Sequence, residues 1–189
     1  MGSFEPSQVL TEWRDVIMGK KSTKENKSVF QLSREEAGMT RAEASEAMVF
    51  VSESRIEKYE SGKSPVQPEE VLAMEKAYKK PSLCNYYCSH ECPIGQEYVP
   101  EIEIKVLEQI VLKMLATMNT LEKAKDRFIE ISADGEITDD ELTDFARIEA
   151  RIEQISMAAD SLSLWVSNTI ASGKIDADKL DKARKAVQK

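Results

Sequence analysis

Apolar residues recur at intervals of three and four through most of this sequence, the spacing that lays them along one face of an α-helix. In "PSQVLTEWRDVIMG", Pro6 to Gly19, the residues Val9, Trp13, Val16 and Ile17 share such a face, with Ser7 placed to cap it and Gly19 to stop it. The stretch "KKSTKENKS" follows with four lysines and no apolar residue. It reads as a solvated link, the sharper alternative being an arm that touches phosphate. Residues 1–21 are therefore expected to be an amphipathic helix and a basic link. From 22 to 80, Gly38, Gly62, Pro65 and Pro68 divide the pattern into helices of about ten residues, which predicts one compact helical domain. In "PSLCNYYCSHECPIGQEYVP", residues 81–100, three prolines and a glycine interrupt any regular pattern, and a connector is expected.

Residues 101–189 carry two sustained stripes. Leu107, Val111, Met114, Met118, Leu121 and Phe128 form one; Phe145, Ile148, Ile152, Ile155, Ala159, Leu162 and Val166 form the other. Such stripes describe packed helix seams. Between them "SADGEITDDE" makes a turn, with Gly135 free to take a positive φ and Thr138 with Glu141 forming a capping box. Gly173 ends the second helix, and Leu180, Ala183 and Val187 mark a third. The fold class is thus all-α: an N-terminal helical domain, then a long helical hairpin with a short closing helix that serves dimerisation or a partner.

The finer pattern in the first domain is more specific. "LSREEAGMTRAEASEAM" gives a helix closed by Gly38 and a fresh helix capped at Thr40; "VFVSESRIEKYESGKSP" gives a turn and a third helix capped by Ser52. Helix, tight turn, helix is the arrangement that projects its second member into a major groove.

Over "LSREEAGMT", "RAEASEAM" and above all "SESRIEKYESGKSP", followed by "PEEVLAMEKAY", the chain resembles the Cro and repressor class of helix-turn-helix regulators, the XRE family. The resemblance implies that Arg34 pairs with Glu60 as architecture, that Arg41 meets phosphate, that Ser52, Glu53, Ser54 and Lys58 face the groove, and that Lys63 sits beside the backbone. Arg55 and Glu57, on the same helix, complete the candidate DNA-contacting set. The turn departs from the family pattern: it reads "MVFVS", one residue longer, with Val49 and Phe50 where a glycine is usual.

Charge narrows the picture. Residues 1–80 hold 13 Lys/Arg against 14 Asp/Glu, and residues 81–189 hold 13 against 20, so the net charge of -8 resides almost entirely in the second half. Contact with nucleic acid then requires the near-neutral first half. The candidate helix itself is balanced, because Glu53, Glu57 and Glu60 offset Arg55, Lys58 and Lys63, although a carboxylate can accept a hydrogen bond from cytosine N4. No apolar run reaches the roughly 18 residues of a membrane span and no signal-peptide core opens the chain, so a cytoplasmic protein without membrane contact is expected.

Other chemistry is thin. Three cysteines within nine residues, Cys84, Cys88 and Cys92, read as reduced thiols. With His90 they match a zinc or iron–sulfur set only if the segment is a non-helical knuckle; small buried packing residues are the simpler reading. The loop Glu130 to Glu141 matches a calcium-binding loop at Asp134, Gly135, Ile137 and Glu141, but Glu130 and Ser132 occupy ligand positions that such a loop fills differently, and a capped turn explains the same residues. His90 has no acid–base constellation around it and no nucleophile motif occurs, so neither catalysis nor a cofactor is expected. The reading is a sequence-specific regulator that binds double-stranded DNA as a homodimer; the alternative is an interaction module whose helix-turn-helix does not bind DNA.

Overall fold

The computed structural model describes residues 26–187, and the regular elements among them are all helices. In chain order they are α1 (Val29–Glu36), α2 (Arg41–Met48), α3 (Glu53–Glu60), α4 (Pro68–Tyr78), α5 (Ser82–His90), α6 (Pro93–Tyr98), α7 (Leu107–Ile131), α8 (Leu142–Ala171) and α9 (Ala177–Val187). The protein is all-α, as the spacing predicts. The amphipathic helix expected over Pro6–Gly19 and most of its basic link lie outside the described residues. The chain falls into two compact units that meet between Cys84 and Asn85, inside α5.

In the first unit, α1, α2 and α3 all start on a hydroxyl. Ser28, Thr40 and Ser52 sit in extended backbone one residue ahead, and each side-chain oxygen accepts an amide from the first turn: Gln31, Glu43 and Arg55. Thr40 and Glu43 do so reciprocally, which is a capping box. At the far end of α3, Gly62 takes φ 73°, which lets its amide bond the Tyr59 carbonyl at 3.1 Å while the Lys63 amide reaches the Lys58 carbonyl at 2.8 Å. That closure satisfies carbonyls the helix leaves open, and it needs a residue without a Cβ penalty at positive φ. The inward faces of α1 to α4, with Val51 from the turn between α2 and α3, build a core from Phe30, Ala44, Met48, Ile56, Tyr59, Val71, Met74 and Tyr78. Phe30 meets Tyr59 edge to face at 6.1 Å.

The turn between α2 and α3 is unusual. Val49 lies at φ 64°, ψ -52°, and the Phe50 amide donates to the Met48 carbonyl at 2.7 Å, so the chain reverses through a γ-turn of the positive-φ kind. A β-branched residue is strained there. The Ser45 hydroxyl steadies the far side by donating to the Val51 carbonyl at 2.7 Å. The extra residue of "MVFVS" is thus absorbed as a bulge that buries Val51 but leaves Val49 88% and Phe50 65% exposed.

The stretch 81–100, expected to be irregular, instead holds α5 and α6. Its prolines sit where helices tolerate them: Pro93 at the start of α6, where the missing N–H would have had no helical partner, and Pro81 and Pro100 outside the helices. Gly95 is set by close approach, because a Cβ there would lie 2.1 Å from the Cys88 carbonyl oxygen.

In the second unit α7 and α8 form a hairpin about Gly135, which takes φ 77°. The Thr138 amide and hydroxyl both donate to the Glu141 carboxylate, and Arg127 Nε on α7 reaches Asp144 on α8 at 3.0 Å. The buried positions are Ile110, Thr117 and Ile131 on α7 and Ile148 and Ala158 on α8. The sequence stripe of α7 therefore merges two faces, since Met114, Leu121 and Phe128 follow the buried seam while Val111 and Met118 face outward. The closing helix forms as α9, and none of its residues is buried.

The strained turn yields a direct expectation. Val49→Gly removes a strain of about 1–3 kcal/mol and adds a glycine entropy cost of about 0.5–1 kcal/mol. The variant should be more stable to urea by about 1 kcal/mol, with an unchanged denaturant slope. A loss of stability would show that the turn is relaxed with valine.

Candidate nucleic-acid interface

The sidedness of α3 follows from its spacing. Ile56, Tyr59 and Glu60 face inward, and the intervening Glu53, Ser54, Glu57 and Lys58 are exposed, with exposed Ser52 at the cap. Ser52 Oγ also lies 3.1 Å from Ser54 Oγ. The outward row thus combines hydroxyls and the Glu53 carboxylate at the positive end of the helix dipole with Glu57 and, in the last turn, the one ammonium of Lys58.

What fixes this helix is a buried carboxylate. Glu60 accepts Arg34 Nε at 2.6 Å and Arg34 Nη2 at 3.0 Å, and it also accepts Arg41 Nε at 2.8 Å. Arg34 Nη1 donates to the Met39 carbonyl at 2.7 Å. One acid therefore ties α1, the following turn, and the first turn of α2 to the end of α3. Burial by itself would lower the Arg34 pKa, but the Glu60 hydrogen bond and charge more than offset it and hold the guanidinium above its ordinary value. The Arg34–Glu60 pairing implied by the resemblance is present. The second partner, Arg41, was not foreseen; its Nε is committed while the rest of its side chain remains part-exposed.

Arg55 also serves the fold. Its Nε and Nη2 grip Glu70 at 2.6 and 2.8 Å, Nη1 donates to Ser64 Oγ at 2.5 Å, and Nη2 also donates to the Pro65 carbonyl at 2.8 Å. Glu70 in turn accepts the Gln67 amide at the start of α4. Burial would raise the Glu70 pKa, but the Arg55 and Gln67 hydrogen bonds and the Arg55 charge bring it below the usual carboxylate range. The sequence signal for the Gln67–Glu70 part of this arrangement, though not for Arg55, was "VQPEE", which opens a helix with Pro68 at its first position and an acid three residues after Gln67.

Of the eight candidate contacts, then, Ser52, Glu53, Ser54, Glu57, Lys58 and Lys63 are exposed, Arg41 is part-exposed, and Arg55 is turned into the α3–α4 joint. The exposed residues of α2 add Glu43 and Glu46. Glu43 is engaged by the Thr40 amide and hydroxyl, which lower its pKa. The outward charge of the two helices is consequently more negative than positive.

The cysteines are dispersed in role. The Cys84 thiol donates to Glu75, Cys88 supplies the carbonyl under Gly95, and Cys92 Sγ accepts the Gly95 amide at the start of α6. His90 stacks on Tyr86 at 4.5 Å. Cys84, Cys88 and His90 all lie on the helix α5, not on the knuckle that a metal set needs, and among the described residues no three His, Cys, Asp or Glu gather to hold a metal. In the loop 130–141, the Asp134 carboxylate accepts the Glu136 amide and Glu141 is held by Thr138.

The capped α1, α2 and α3 with α4 behind them define a helix-turn-helix domain. Residues 31–82 match the protein-family model described as helix-turn-helix, so this segment, about a quarter of the chain, is a helix-turn-helix of the XRE kind, a DNA-binding regulatory domain at the level of the family. No curated protein and no solved structure matches the chain. No helix among the described residues is long and apolar enough to cross a membrane.

Removing the buried acid tests the joint. Glu60→Ala leaves Arg34 buried and unpaired, and should cost about 3–5 kcal/mol in chemical denaturation. Arg41→Ala leaves the Arg34–Glu60 pair intact and should cost about 1 kcal/mol or less. A Glu60→Ala cost no larger than that of Arg41→Ala would contradict the central role of the acid.

Proposed function

We propose that this protein is a sequence-specific, DNA-binding transcriptional regulator that acts as a homodimer in the cytoplasm, with α3 as its recognition helix. The observation that carries the reading is the exposed outward row of α3 within a segment that matches the helix-turn-helix family. In this reading Ser54 and Lys58 contact base edges, Glu53 and Glu57 accept from cytosine N4, and Arg41 and Lys63 flank them on phosphate. Arg55 is left out of the contact set, because its guanidinium makes four internal hydrogen bonds. An eight-residue helix reads few base pairs, so two copies on two half-sites supply the rest of the recognition. With so few cations, non-specific affinity is weak, and selectivity comes from the carboxylates that penalise the wrong base.

A second reading is favoured by the carboxylates Glu46, Glu53 and Glu57 around the exposed Val49 and Phe50. In it the same face docks on a basic, apolar patch of another protein.

Fluorescence anisotropy of the full chain with random-sequence and genomic duplexes, across a range of salt, separates the two. DNA affinity should fall as salt rises, Arg41→Ala and Lys63→Ala should weaken all sequences alike and each reduce the salt slope by about 1, and Ser54→Ala should alter preference at one position. No binding at low salt would leave the protein-docking reading in its place.

A further inference from the structure

We infer that Phe50, held out by the bulged turn between α2 and α3, is a specificity-determining residue that reads the C5-methyl group of a thymine in the major groove. The inference rests on the DNA-binding reading above and adds to it a contact outside the outward row of α3. Two observations single out this turn. Val49 sits at φ 64°, ψ -52°, a conformation that strains a β-branched residue, and strained residues of this kind cluster at functional sites. The same reversal leaves Phe50 65% exposed while its neighbour Val51 enters the core. The backbone on both sides of the ring is pinned, because the Phe50 amide donates to the Met48 carbonyl at 2.7 Å and the Val51 carbonyl accepts the Ser45 hydroxyl at 2.7 Å. A side chain presented on a fixed backbone has less freedom to lose on contact.

Position and chemistry together name the occupant. Phe50 stands two residues ahead of Ser52, the cap of α3, and in a helix-turn-helix the start of the second helix is the end that meets base edges. Two residues span about 7 Å at most, so the ring lies at the mouth of any groove that Ser52 and Ser54 enter. A phenyl ring has no donor or acceptor to offer those edges. The apolar group they present in the major groove is the thymine methyl, so thymine is the base that such a ring can select. A protein partner is the poorer fit. Glu46, Ser52, Glu53 and Ser54 flank Val49 and Phe50 in sequence and are themselves exposed, and a patch of two apolar side chains is small beside the roughly 800 Å² that each partner buries in a protein–protein interface. Burying a methyl group against a ring also owes nothing to charge, and it adds affinity where the outward row supplies few cations.

The test uses the full-length protein and a duplex that it selects from a random-sequence pool, with binding read by fluorescence anisotropy. Each thymine is replaced singly by deoxyuridine, which removes the methyl group and keeps the base pair. At one position the wild type should lose about fourfold in affinity, the contribution of one buried methyl-sized group. Phe50→Ala should bind the thymine and uracil forms of that position alike, with an unchanged salt slope because no phosphate contact is lost. The ring is exposed, so helical circular dichroism should not change. A penalty at that thymine that persists in Phe50→Ala, or no penalty at any thymine in the wild type, overturns the contact and leaves the DNA-binding reading standing. A wild type that selects and binds no duplex overturns both.

Discussion

The Glu60 carboxylate is the constraint on which the first unit is organised. An acid taken out of water is tolerated only when its oxygens are fully engaged, and here they are met by N–H groups from two arginines on two other helices. The three helices are short, eight residues each, and too short to be stable alone. Their relative placement therefore depends on the shared core and on this joint. Because Glu60 is at the last turn of α3, fixing it aims the whole helix, and the outward row from Glu53 to Lys58 is presented as a consequence of where Glu60 is held.

Much of this was legible beforehand, because it is local. Ser52 and Thr40 cap the helices they precede, and Gly38, Gly62 and Gly173 take positive φ just past helix ends, as their positions imply. Pairings across sequence were legible only through resemblance, as for Arg34 with Glu60. Arg55 shows the limit: on a helical wheel it lies at the border of the buried face, about 40° from Tyr59 and about 60° from Lys58, its long side chain turns aside to Glu70 and Ser64, and nothing in the local pattern announces which acid an arginine will meet. The prolines of 81–100 were misleading for a related reason, since proline both ends and begins helices. In α7 the merging of two faces has a geometric cause: Val111 and Met118 lie only a step round the cylinder from Met114 and Leu121, so one broad stripe contains an inner and an outer row.

The outward face sets its own terms for recognition. Few of its cations are free and several carboxylates are present, so attraction to the phosphate backbone contributes less than in a basic domain. In the proposed reading such a surface gains by discrimination and by doubling, and the doubling places weight on the second unit. That unit carries the excess of acid and leaves an apolar row uncovered. The bulged turn adds one further element, since the strained Val49 places an aliphatic and an aromatic side chain in solvent beside the start of α3.

The central claim is that the outward row of α3 is the surface that meets DNA. Backbone amide shifts of the full-length protein, followed while adding a duplex selected by the protein itself from a random-sequence pool, test it most directly. The account predicts that the largest changes fall on Thr40 and Arg41, on Ser52 to Lys58, and on Lys63, with the amides around Glu70 moving little. Shifts confined to α7 to α9, or a first unit that does not respond at a saturating concentration of duplex, would contradict it.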